Sequence, residues 1–170
     1  RIADEKQKNP RGMANCMEFQ EGLVFKDDLV EVTALQVVHP PLIDTYALKF
    51  KSADKTVVFS ADTSYFPPLA DFARGADVLI HEVMHRAGTE HMCARLKEIK
   101  PNLMEHMIAG HTFGDDVGRI ASAAGVKHLA VQHFTPSDDQ QTGPEDFAEL
   151  IRETWDGELT IGQDLQTIEF

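Results

Sequence analysis

Apolar and polar positions alternate with a period of two along the first third of the chain, then recur at helical spacing further on. From Leu29 to Val38, the residues Val30, Val32 and Ala34 fall on one face of a β-branched run, which predicts a strand. His39-Pro40-Pro41 ends it, because proline brings no ladder donor. Tyr46 to Lys51 alternates again, Ser52-Ala53-Asp54 makes a turn, and Thr56 to Ser60 is the short apolar run of a buried strand. Leu23 to Phe25 adds a short strand ahead of these, before the Lys26-Asp27-Asp28 turn, and residues 1–22 read as irregular or linker-like.

Phe66, Leu69, Ala70 and Ala73 then recur at helical spacing before Gly75, which predicts a capped helix over Phe66 to Arg74. Asp77 to Ile80 reads as a buried strand that stops at His81-Glu82. Residues 89–109 read as helical with a break at Lys100-Pro101. Phe113 to Ala124 reads as a helix stopped by Gly125, and Lys127 to Gln132 as a strand that stops at His133. Pro144 to Trp155 has a proline in the first turn of a helix, and Leu159 to Phe170 supplies one or two closing strands. The order β-β-β-α-β-α-α-β-α-β, behind the short leading strand, predicts an α/β layered domain with a mixed sheet. In such sheets functional groups gather where strands end and loops begin.

Composition narrows the field. A chain of 170 residues, 42% apolar, is long enough for one domain with a true core. No run of apolar residues is long enough to span a membrane, and Arg1 to Asn9 is too polar for a signal peptide. Sixteen Lys and Arg against 28 Asp and Glu give a net charge of −12, which argues against a nucleic-acid partner. The densest basic stretch, Arg1 to Arg11, reads as a solvated tail. Cys16 and Cys93 form no Cys-x-x-Cys pair; two free thiols suit a reducing cytoplasm.

Three strand ends carry candidate chemistry. Asp62 follows Val57-Val58-Phe59-Ser60-Ala61, and a carboxylate at such a rigid point can bridge two cations or cap the following helix. His81-Glu82-Val83-Met84-His85 spells His-Glu-x-x-His, but it continues a strand-like run rather than lying on a helix, the context that zinc motif requires. His133 follows Leu129-Ala130-Val131-Gln132, and an imidazole held by rigid backbone suits a metal. His111, in Ala109-Gly110-His111-Thr112, falls between the second and third.

Taken in order, Phe-Ser-Ala-Asp-Thr, His-Glu, Gly-His-Thr and Leu-Ala-Val-Gln-His-Phe-Thr-Pro resemble the second half of the metallo-β-lactamase superfamily, on the branch that holds ribonuclease Z and its arylsulfatase-like relatives. The resemblance implies an αββα sandwich to which this chain contributes the C-terminal half, a mixed sheet flanked by helices. It implies a site with two divalent ions, zinc first and manganese or iron as alternatives. Asp62 would bridge them and His133 would be the last ligand of the second. His111 would help protonate the leaving group, and Glu82 would support it. His39 falls near the site and is set outside the ligand set. His85, His91, His106 and His128 match nothing and are expected on the surface or on a lid over 86–110, where Met84, Met92, Met104 and Met107 gather. No substrate-binding residue is assigned.

The superfamily's His-x-His-x-Asp-His cluster is missing; the only histidine ahead of Asp62 is His39. Half a sandwich would also leave one apolar sheet face bare. The chain is therefore expected to work with an N-terminal half, or with a partner chain that supplies it, and a homodimer belongs among the expected assemblies. The main functional expectation is a metal-dependent hydrolase of a small ester: a phosphoester, sulfate ester, lactone or similar. The alternatives are a tRNA 3′-processing endonuclease of ribonuclease Z type and a non-catalytic half-domain.

Overall fold

A computed structural model describes residues 17–170. Twelve elements follow one another: β1 (Gly22–Lys26), β2 (Glu31–Gln36), β3 (Tyr46–Lys51), β4 (Thr56–Phe59), α1 (Pro68–Phe72), β5 (Val78–Met84), α2 (Arg86–Leu96), α3 (Leu103–Gly110), α4 (Gly114–Ala124), β6 (His128–Thr135), α5 (Pro144–Arg152) and β7 (Glu158–Ile161). The strands form one seven-stranded sheet in sequence order. β1 to β4 pair antiparallel as a meander, and β4 to β7 pair parallel through helical crossovers. The expected mixed α/β sheet is therefore present.

The parallel half holds the core. Val58, Leu79, Val83, Leu129 and Val131 point to one sheet face and meet Leu69 and Ala73 of the α1 region, Val117, Ile120 and Ala121 of α4, and Phe147 and Ile151 of α5. α4 and α5 approach closely because Gly118 carries no side chain: a Cβ there would stand 2.7 Å from the Ile151 carbonyl oxygen. Gly125 at φ 62° ends α4, as the sequence predicts. On the other face Leu48, Phe50, Val57, Phe59 and Ile80 are only half-buried.

Several boundaries depart from expectation. β5 and β6 do not stop at Ile80 and Gln132 but run on to Met84 and Thr135. Their neighbours supply the reason. Glu82 still pairs with Gln132 and Met84 with Thr135, and the Met84 amide also donates to the Thr112 carbonyl at 2.8 Å. Tertiary pairing thus overrides the polar residues that read as strand ends. His-Glu-x-x-His consequently lies on a strand with His85 just beyond it, where residues four apart are roughly 13 Å apart, too far to share an ion.

β7 is a single closing strand, α5 ends at Arg152, and α1 shrinks to a short helix opened by Pro67 and Pro68. The 89–109 segment forms two helices, α2 and α3, whose Met92, Cys93, Leu103 and Met104 pack on Met84, Met107 and Phe113. The expectation for residues 1–22 falls mostly on residues outside the described ones, as does Cys16; Met17 to Glu21 are irregular and Gly22 already belongs to β1.

Two of the unmatched histidines are not surface groups. His128 is buried and its Nε2 meets the Thr160 hydroxyl at 2.8 Å. His85 caps α2 by accepting from the Gly88 amide at 3.1 Å.

Truncating Leu79, which is fully buried, to alanine is expected to cost about 2–5 kcal/mol, measured by urea unfolding; a loss below about 1 kcal/mol would show that the parallel half is not the core.

Candidate metal centre

The site forms where the loop after β4, the body of β5, the α3–α4 junction and the end of β6 converge. Asp62 stands in the first of these. Ser60 keeps its amide on the Ile80 carbonyl at 2.9 Å, and Ala61 then turns the chain with φ 58°. A left-handed alanine costs about 1–2 kcal/mol, so the surroundings must hold it there. Asp62 does not cap α1, whose N-terminus has no side-chain cap.

His133 is presented by an irregularity in the sheet. Glu82 pairs with Gln132 and Val83 with Phe134, so His133 is the extra residue, and its φ is 48°. A bulge of this kind re-aims one side chain away from the alternation of its strand. Its Nε2 comes to 3.4 Å from Asp62 Oδ2.

His111 closes α3 in extended backbone. Its ring stacks on His133, with centroids 5.6 Å apart. Ligand atoms of Asp62, His111 and His133 all lie within 4.8 Å of one another. Glu82 lies behind them, almost fully buried, with Oε2 3.3 Å from His111 Nδ1 and Oε1 accepting the Thr112 amide at 2.6 Å. The structure thus brings together all four residues that the sequence singled out.

Electrostatics separate the histidines. Partial burial pulls the His111 imidazole down, but the Glu82 hydrogen bond, the Glu82 charge and the Asp62 charge outweigh it, and its pKa ends above the ordinary histidine value. Burial instead pushes His81 down, and its Nδ1 lies 2.6 Å from the Glu82 carbonyl oxygen. A neutral His81 donating there pins the backbone of Glu82.

His39, expected near the site though outside the ligand set, lies beside the cluster. Its ring meets His111 edge-on at 5.2 Å, and its Nδ1 lies 2.7 Å from the Gly110 carbonyl oxygen. An Nδ1–H donated to a carbonyl leaves the Nε2 lone pair free, the arrangement that orients metal-binding histidines. Gly110 is required here, since a Cβ would stand 2.7 Å from His39 Nδ1. The available signal was positional: His39, like Asp62 and His133, follows directly on a strand-like run.

A carboxylate and imidazoles form a donor set suited to zinc and similar divalent ions. A cleft of about 430 Å³ opens beside His133 between Ala130, Gln132 and the Gly162–Ile168 segment, with no lysine or arginine in its lining.

The metallo-β-lactamase fold protein YhfI from Bacillus subtilis is similar over 85% of this chain and 52% of its own, at 25% identity and a TM-score of 0.64. Human tRNase Z, short form, shares the fold over 86% of this chain and 44% of its own, at 20% identity and a TM-score of 0.56. The chain has the metallo-β-lactamase fold. Ribonuclease Z of Mycobacterium marinum is 25% identical over 174 aligned residues, 99% of this chain and 58% of that protein. These similarities in sequence and fold support the metallo-β-lactamase superfamily, on its ribonuclease Z branch. The chain spans about half the length of the curated relatives it matches. No known protein-family profile matches it.

Two substitutions test this geometry in the metal-free protein. Ala61→Gly relieves the left-handed backbone and is expected to raise stability by about 0.5–1 kcal/mol; a lower Tm would contradict the strain. Glu82→Gln removes the main upward influence on His111, so the His111 pKa, read from its imidazole proton shifts, should fall below that of the wild type. An unchanged titration would mean that Glu82 does not govern it.

Proposed function

We propose that Asp62, His133 and His39 hold divalent cations, zinc first, together with ligands from the remaining half of a metallo-β-lactamase domain, and that the assembled site cleaves an RNA phosphodiester as ribonuclease Z does. The observation that carries the substrate is the similarity to a ribonuclease Z along nearly the whole chain. The donor set carries the metal: a carboxylate and an imidazole whose ligand atoms are 3.4 Å apart, beside a histidine whose second nitrogen is already committed to a carbonyl. When bound, such ions lower the pKa of a water and stabilise charge on the attacked oxygen.

His111 has a different task in this reading. Glu82 and Asp62 raise its pKa, which favours the protonated ring, and a protonated imidazole is a poor ligand. Glu82 holds the Nδ1 side, which leaves Nε2 to pass a proton to the departing oxygen. Glu82 is too deeply buried to be offered to substrate, so its role is to orient and charge His111.

Charge and the cleft favour a second reading. A net charge of −12 opposes an RNA polyanion, and the cleft beside His133 offers no cationic side chain. These features suit a small ester. Against them, divalent cations would offset the local charge of Asp62, which stands where the substrate must come.

The test is made on the assembled domain loaded with zinc, given a precursor tRNA with a 3′ trailer and, in parallel, a panel of small phosphate, sulfate and carboxylate esters. The RNA is expected to be cleaved, Asp62→Ala to abolish cleavage with loss of metal, and His111→Ala to lower turnover about 10²–10⁴-fold with metal retained. Turnover of small esters alone would establish the second reading, and loss of metal in His111→Ala would make that residue a ligand.

A further inference from the structure

Asp62 stands between two peptide carbonyls, and each receives a hydroxyl. On its N-terminal side the Ser60 hydroxyl donates to the Ala61 carbonyl at 2.6 Å. On its C-terminal side the Thr112 hydroxyl donates to the Thr63 carbonyl at 2.6 Å. The same two residues also hold Glu82. Ser60 Oγ accepts the Glu82 amide at 3.1 Å, and the Thr112 amide donates to Glu82 Oε1 at 2.6 Å.

Four of the five residues of this lattice are sealed from water: Ser60 is 1% exposed, Thr63 0%, Glu82 2% and Thr112 1%, while Ala61 is half-buried. Solvent cannot replace a lost partner at such depth, so each bond is costly to break and narrow in geometry. Ser60 also acts where the backbone is strained, because the carbonyl it grips belongs to Ala61 at φ 58°. Asp62 itself is half-exposed, and among the described residues its carboxylate accepts no backbone amide; its placement comes from the carbonyls of Ala61 and Thr63 on either side.

We propose that Ser60 and Thr112 are positioning residues, two buried hydroxyls that set the Asp62 carboxylate against the Glu82–His111 pair. The inference rests on the reading of Asp62 as a metal ligand. It adds that the site's metal affinity and the placement of its proton donor are coupled, since the Ser60 hydroxyl touches both sides and Thr112 holds one with its hydroxyl and the other with its amide. A residue that serves only the fold behaves differently: its loss lowers stability and leaves the ligand geometry alone. Thr89 supplies that comparison within the same molecule, being fully buried with its hydroxyl on the His85 carbonyl at 2.8 Å.

Cobalt(II) is titrated into the assembled domain and followed by its visible absorption, with folding checked by circular dichroism and thermal melting. Asp62→Ala should lose the signal. Ser60→Ala and Thr112→Val should keep the fold and bind cobalt roughly 10–100-fold more weakly, with altered band positions. Thr112→Ser should restore affinity, and Thr89→Val should lower the melting temperature alone. If Ser60→Ala does not fold, the Thr112→Val and Thr112→Ser pair decides the matter. Wild-type affinity and bands in both clamp variants, with Asp62→Ala still silent, would overturn the clamp. Equal binding by Asp62→Ala and wild type would overturn the metal reading beneath it, so the two failures are distinct.

Discussion

A carboxylate buried inside a parallel sheet is the constraint around which this site is built. Glu82 lies in the middle of the β5–β6 pairing and is almost fully removed from solvent. A charge in that position is tolerated only where hydrogen-bond donors and a cation meet it. The Thr112 amide and the His111 imidazole do so from the α3–α4 junction, which fixes that junction against the sheet. His111 then stands over Asp62 and His133 because Glu82 must be satisfied.

The backbone pays for this arrangement in two places. Ala61 and His133 both adopt positive φ, and they flank the spot where Asp62 and His133 converge. Strain at these two residues is consistent with a site whose geometry is over-determined by its surroundings. The shift of register between β5 and β6 frees His133 from its strand's alternation, while the Ser60 hydroxyl grips the turn that presents Asp62.

Much of this was legible in the sequence, and what was not has a physical cause. The seven strands, α4 with its Gly125 stop and α5 with its leading proline followed from periodicity and caps, because those are local properties. Asp62, Glu82, His111 and His133 emerged from their order along the chain. The true ends of β5 and β6 did not, since pairing across the sheet carried both strands past polar residues that locally read as stops. His39 was expected near the site but outside the ligand set, because its orientation comes from the Gly110 carbonyl, 71 residues away. Ser60 and Thr112 look like ordinary turn residues until their partners are known. The whole-chain charge favoured a small substrate and the ribonuclease Z relatives favour RNA; net charge averages over a surface and says little about the few groups at a site.

The central claim is that Asp62, His133 and His39 form one end of a metal centre, with His111 beside it as a proton carrier. Anomalous diffraction at the zinc edge from crystals of the zinc-loaded domain tests it most directly. The account predicts a peak within bonding distance of an Asp62 carboxylate oxygen and of imidazole nitrogens of His133 or His39, with His111 still on Glu82. A peak bound to His111 in place of His39, or no peak at Asp62 at saturating zinc, would contradict it.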